Sequence, residues 1–421
     1  MKRSLRPLTV AAACLCLALA GCVSQPAPGP GPNAQGGACA ESPGVTRDSI
    51  ALGVLTDLSG PVSAGGVPWS KGVQAYFDHV NATEGGVGGR RIEVKVADHG
   101  YAPPAALQRY QELEPTVLAL PLGFGSAANN AVAGRLVDDC MSLIANNGSL
   151  TDSKPNVFYN ASTYESQALT GISWYLKDHP NPRVALLYQG DVYGEGVKAA
   201  LEYAAAQRGF EIVSAQSYAV GDQSFSGQLA AITAARPDVV VMATTVGATF
   251  TFFGAAQAAG ATWDWLGIQP TFAPAVLGLP IRDAYLRDFT ITTGQPLVAG
   301  GGPATTVAYD TLRAVSPALA DDPSSLLGWQ AAYLMHQALL VADRSPSGLT
   351  RGSVLDALSH LDVQADGLGP GGFRFDPASA EPGVPYDQAS IVRIDPAAPG
   401  FLTPVERYTT SDLVAGFLQR R

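Results

Sequence analysis

The chain has 421 residues, a net charge of −10, 47% hydrophobic residues and only 15% charged ones. That composition excludes an intrinsically disordered chain, and an acidic balance with no basic cluster excludes nucleic acid as the expected partner. The length suits two domains or lobes once a short leader is set aside.

Residues 1–21 carry the three parts of an export signal. Lys2, Arg3 and Arg6 form a charged start, and Leu8 to Ala20 form an apolar stretch too short to span a bilayer as a mature helix. Leu19-Ala20-Gly21-Cys22 resembles the bacterial lipobox. The resemblance implies that Cys22 is diacylated and becomes the new N-terminus, with enough acyl chain for stable anchoring. Residues 22–44 continue as a Pro- and Gly-rich spacer with no hydrophobic period. The expected arrangement is a lipid anchor, a leash and a folded body on the outer side of the cell membrane. Removing the leader takes away three positive charges and no negative ones, leaving about −13.

Cys14 and Cys16 leave with the signal and Cys22 is consumed by lipid, so Cys39 and Cys140 remain. Two cysteines in an oxidising location favour one bridge over two separate thiols. Such a bridge closes a loop of roughly 100 residues, worth up to ~4.7 kcal/mol in the chain-entropy picture. No cluster of His or Cys accompanies them, so no metal is expected.

From Ile50 onward the pattern alternates strand and helix. Strands are predicted at 50–56, 92–98, 117–121 and 143–145, with helices at 70–81, 103–113 and 127–138. The pattern restarts near Asn160. Helices are predicted at 166–177, 194–208, 226–235 and 248–260, and strands at 183–188, 211–218, 238–244 and 265–268. A strand at 289–292 and helices at 305–315, 324–342 and 351–358 follow, and Phe373–Phe375 is expected to pair with Ser390–Ile394 as an antiparallel hairpin. Alternation of this kind builds mostly parallel sheets with helices on both faces.

Four segments, in order, resemble the type I periplasmic binding proteins that serve ABC importers, and within them the branched-chain amino acid-binding branch. They are the opening strand Ile50 to Pro61, the turn Gly85 to Val94, the run Asp191-Val-Tyr-Gly-Glu-Gly196, and Phe373-Arg-Phe-Asp376 after a glycine-rich crossover. The resemblance implies an α/β fold of two Rossmann-like lobes joined by three crossovers, with a ligand cleft between them. The crossovers are expected near Asn160-Ala161, Thr293-Gly294 and Asp366–Gly369. Lobe 1 is then 45–160 plus 294–367, lobe 2 is 161–293 plus 368–405, and 406–421 is a C-terminal tail.

In open α/β sheets ligands bind beyond the carboxyl ends of strands. Gly123-Phe124-Gly125-Ser126 follows one such strand, with Ser126 placed as a helix N-cap and Gly125 allowing close approach. A helix N-terminus there suits a carboxylate. The next strand delivers Asn147-Gly148-Ser149 to the same rim. Read from spacing alone, Ser126 and Ser149 better fit simple capping of helices or turns; the resemblance makes them carboxylate ligands, and makes Tyr193 an aromatic that closes over the ligand. Thr245 and Gln269 depart from the amino-acid-binding pattern. Gln269 stands where that branch has the acid that pairs with the ligand's ammonium, and a neutral amide cannot offset a buried positive charge. The expected ligand is small and polar, with a carboxylate or amide end: an amino acid, an amide or a small carboxylate, the amino-acid assignment being left open by Gln269.

Catalysis has little support. His79, His99, His179, His336 and His360 are scattered, and there is no nucleophile elbow or phosphate loop. No cofactor is expected. The expected protein is a monomer that captures a small molecule and docks on ABC permease and ATPase subunits, or else on a membrane receptor as a sensing subunit.

Overall fold

The computed structural model describes residues 37–145, 148–149, 155–379 and 381–420. Cys22, the export segment, most of the spacer and Asn147 lie outside the described residues.

The first α/β block comprises β1 (Ser49–Thr56), α1 (Ser63–Thr83), β2 (Arg91–Asp98), α2 (Pro103–Leu113), β3 (Leu120–Gly123), α3 (Ser126–Asp138), β4 (Leu143–Ala145) and β5 (Val157–Tyr159). Its strands lie parallel in the order β2-β1-β3-β4-β5. The second block comprises α4 (Tyr164–Tyr175), β6 (Arg183–Gln189), α5 (Val192–Arg208), β7 (Glu211–Tyr218), α6 (Ser226–Ala235), β8 (Val239–Ala243), α7 (Val246–Ala258), β9 (Asp264–Ile268), α8 (Arg282–Asp288) and β10 (Phe289–Thr293). Every residue of β8 is buried, as expected for a central parallel strand covered on both faces.

The chain then adds α9 (Pro303–Val315), α10 (Pro317–Ala320), α11 (Pro323–Asp343), α12 (Arg351–Ser359), β11 (Asp362–Gln364) and β12 (Gly372–Arg374) to the first lobe. It finishes on the second with β13 (Ala389–Ile394), β14 (Leu402–Thr409) and α13 (Asp412–Leu418). The second sheet runs β14-β13-β10-β9-β8-β6-β7, with β13 and β14 as an antiparallel edge on a parallel body. The chain passes between lobes at 160–163, 294–302 and 376–388.

Four expectations are corrected. Phe373–Phe375 does not pair with Ser390–Ile394: β12 pairs with β11, while β13 lies between β10 and β14. Phe373 and Phe375 are buried in the lobe 1 core, so that hairpin stays with lobe 1, and the third crossover follows it instead of lying at 366–369. Residues past 405 are not a tail, because β14 continues to Thr409 and α13 places Leu413 and Val414 in the lobe 2 core. Finally, α1 starts at Ser63 despite Gly65, Gly66 and Pro68. Gly66 is what lets this end press on β1, since a Cβ there would lie 2.2 Å from the Asp57 carbonyl oxygen.

Cys39 and Cys140 form the expected bridge, with Cα atoms 5.1 Å apart. Beside it, the buried Arg351 of α12 pairs with Glu114 at 2.6 Å and donates to the Asp139 carbonyl at 3.1 Å. Among the described residues no helix is long and apolar enough to cross a membrane.

Candidate functional site

The loops after β1 and β3 in lobe 1 face those after β6, β8, β9 and β10 in lobe 2, and between them lies a cavity of about 220 Å³. Its walls are mostly apolar, with Val62, Trp69, Phe124, Phe250, Phe272 and Leu402 among them. Ser126, Thr245, Gln269, Thr293 and Gln295 supply polar groups, and no charged side chain lines it among the described residues.

At the lobe 1 rim, Gly125 and not Ser126 occupies the N-cap of α3; Ser126 is the first helical residue. A glycine cap has no side chain to fold back on the first turn, so this helix end keeps its positive dipole toward the cavity. Gly125 has φ 95°, and a Cβ there would lie 2.6 Å from the Tyr101 ring. Only glycine combines that conformation with that close approach. His99 holds the wall behind. Its Nε2 lies 3.0 Å from the Phe124 carbonyl and its Nδ1 accepts from the Tyr101 N–H at 3.0 Å. Those contacts fix a neutral imidazole with its proton on Nε2, and burial holds its pKa below the usual histidine value.

At the lobe 2 rim, Thr245 is the N-cap of α7 without bonding back to it. Its hydroxyl lies 3.3 Å from that of Tyr218, which also accepts the Thr245 N–H at 2.9 Å. Helix α11 differs, because Asp322 already caps it by accepting from Ser324 N–H at 2.9 Å. Two helix N-termini, one from each lobe, thus present first-turn amides without a cap from the N-cap side chain.

Tyr193 lies on the cavity wall with its ring 4.4 Å from that of Tyr164. It is buried, and its hydroxyl has no hydrogen-bond partner among the described residues; the same holds for the Trp69 indole N–H. Both are donors at a cavity wall. Gln269 also lines the cavity, at the end of β9. Ser149 does not: its hydroxyl donates to the Glu165 carboxylate in the first turn of α4, a contact between lobes. With that carboxylate as its partner, Ser149 is not placed to hold a ligand. Trp69, Tyr101 and Phe124 were not singled out from sequence, because aromatics in loops and helix starts carry no periodic signal; only their position after strand ends hints at them.

Among the described residues no group of His, Cys, Asp or Glu is arranged to hold a metal ion.

Two α/β lobes with a cavity between their strand ends define a ligand-clasping binding protein. A family model described as periplasmic binding protein matches residues 49–398. The chain belongs to the periplasmic binding protein family. Among solved structures it is similar to the fatty acid ABC transporter substrate-binding protein from Thermomonospora curvata, with TM-score 0.84 and 27% identity over 89% of this chain and 96% of that one. It also resembles a branched chain amino acid ABC transporter from Thermus thermophilus with bound valine, TM-score 0.79, covering 89% of this chain and 99% of that one. At 17% identity that likeness concerns the fold alone. Among curated proteins it matches Leu/Ile/Val-binding protein homolog 3 of Brucella melitensis at 26% identity over 203 residues, 45% of this chain. The chain spans about half the length of that relative, 53%.

Proposed function

We propose that this protein is the ligand-capturing subunit of an ABC importer, and that its ligand is a carboxylate with an apolar body and no ammonium group. One observation carries the reading: the cavity between the lobes offers hydrogen-bond donors and helix N-termini but no charged side chain. A carboxylate finds donors at Tyr193, Ser126 and the first turns of α3 and α7. An ammonium would find no acid on the wall, and a buried unpaired charge is costly. The apolar walls replace the small polar ligand expected from sequence with one that has a hydrophobic portion. Likeness to a fatty acid-binding relative at 27% identity supports the same class.

The protein acts by binding and release, without turnover. It is a monomer held outside the cell membrane through a lipid on Cys22, and it delivers its closed form to permease subunits driven by an ATPase. The leash is shorter than the expected 22–44 and ends at Cys39, because Cys39 is bridged to Cys140 and the Gly44 carbonyl accepts from the Ala51 N–H.

Isothermal titration of the purified protein with octanoate, benzoate, leucine and valine tests the ligand class. Binding of a carboxylate in the micromolar range or tighter, with the amino acids at least tenfold weaker, is the expected result. Preference for leucine or valine overturns it. Ser126→Ala is expected to weaken the carboxylate several-fold.

A further inference from the structure

The cavity is not confined to the rim. Thr293 and Ile291 of β10 both line it, and so does Leu402 at the start of β14. The register fixes where Leu402 lies. Thr293 pairs with Ser390 and Ile291 with Val392, while Leu402 pairs with Ile394. Thr293, Ile291, Val392, Ile394 and Leu402 therefore share one face of the lobe 2 sheet, since alternate residues point the same way and directly opposed residues share a face. Ile291, Val392, Ile394 and Leu402 are buried together in one core cluster with Phe272.

From Thr293 to Leu402 the path descends four residues and crosses two strands. At ~3.4 Å per residue and ~4.8 Å per strand spacing, that is ~17 Å along and across the face of the sheet, ending where Pro323 of lobe 1 also lines the cavity. Ser126, Tyr193 and Thr245 supply polar groups at the mouth, and Phe250, Phe272, Ala275 and Ile291 line the way down; at the Leu402 end Gln295 is the polar neighbour. Beyond Leu402 lies a smaller space bounded by Val298, Ala320, Leu326 and Pro399, and the two spaces share Leu402, Pro323 and Gln295.

We infer that the ligand's carboxylate stays at the interlobe mouth while an alkyl tail runs down the face of the lobe 2 sheet, and that Leu402 is the floor that sets the longest tail accepted. This rests on the carboxylate reading above and adds to it a direction and a length limit. Leu402 acts as a specificity residue, because its side chain divides the tail channel from the space behind.

Titration of a straight-chain series from butanoate to hexadecanoate tests this. In the wild type, affinity is expected to climb about fourfold per added methylene and then stop at the length that reaches the floor. Leu402→Ala should move that stop to longer chains by two or more methylenes, and Leu402→Phe should move it to shorter ones. Both should leave butanoate, which stays near the mouth, within about twofold of wild type. Unchanged butanoate affinity also shows that the variants are folded, and Leu402→Met, close in volume, should keep the wild-type stop. A stop that stays put in both variants, or a uniform loss at every length, overturns the floor while leaving the carboxylate reading intact. A wild type that binds none of the series overturns both.

Discussion

Gln189 of lobe 2 donates from Nε2 to the Tyr101 hydroxyl of lobe 1 at 3.4 Å, a hydrogen bond across the mouth of the cavity. Gln189 is itself held, since its Oε1 accepts from Tyr218 at 3.3 Å and its Nε2 also reaches Asp191. Tyr218 in turn meets Thr245 on the cavity wall. The contact between lobes is thus one end of a network whose other end is a candidate ligand group.

Tyr101→Phe removes the acceptor and leaves the ring against Phe124. The expected result is a ligand dissociation constant raised about fivefold, equivalent to ~1 kcal/mol, carried mainly by faster release and with little change in melting temperature without ligand. Stopped-flow tryptophan fluorescence measures it, and an unchanged release rate shows that this contact does not hold the lobes together.

Gln269→Glu places a carboxylate on a wall that now has none. Two like charges in a cavity of low polarity repel, so affinity for octanoate is expected to fall at least tenfold at pH 7.5. Part of the loss should be recovered near pH 5, where an acid in such surroundings takes up a proton. Equal affinity in the variant and the wild type would remove Gln269 from the site.

His99 makes the site sensitive to acid. Burial holds its folded pKa below the ordinary value, although Asp57 and Asp98 pull the other way. The unfolded chain therefore takes a proton near pH 6.5 more readily than the folded protein does. The stability tied to this group is complete above about pH 6.5 and is lost as pH falls through the lower folded value. Protonation also removes the Nδ1 lone pair that accepts from Tyr101. Melting temperature and carboxylate affinity should both drop as pH falls below about 6.5, and His99→Gln should flatten that slope. Parallel slopes in variant and wild type would place the acid sensitivity elsewhere.

Replacing Cys39 and Cys140 together by serine opens a loop with a sequence separation of 101. The expected loss is about 2–4 kcal/mol of stability, seen as a lower midpoint in urea. Because the bridge lies in lobe 1 away from the cavity, octanoate affinity should stay within about twofold.

The two α/β blocks were legible because buried parallel strands are short and apolar, and the helices between them keep one apolar face. Where reading failed, the missing information was not local. The alternation of Phe373, Arg374 and Phe375 announces a strand but not its partner, and the burial of both rings in lobe 1 decides the pairing. Gly65, Gly66 and Pro68 argue against a helix, yet α1 begins before them because Gly66 lets it touch β1. At the site, Ser126, Tyr193, Thr245 and Gln269 were reachable because they follow strand ends. Ser149 also follows a strand, but its partner Glu165 lies on another element, and nothing in the spacing reveals that. The depth of the cavity depends on the register of β10, β13 and β14, which pairs residues from separate stretches of chain.

The cystine at 39 and 140, with the Arg351 guanidinium beside it, rivets the upstream strand of polypeptide to the first lobe. A load applied through residues ahead of Cys39 would meet this bridge before the three crossings between lobes. The first lobe would bear such a load directly, and the second would feel it only through those crossings.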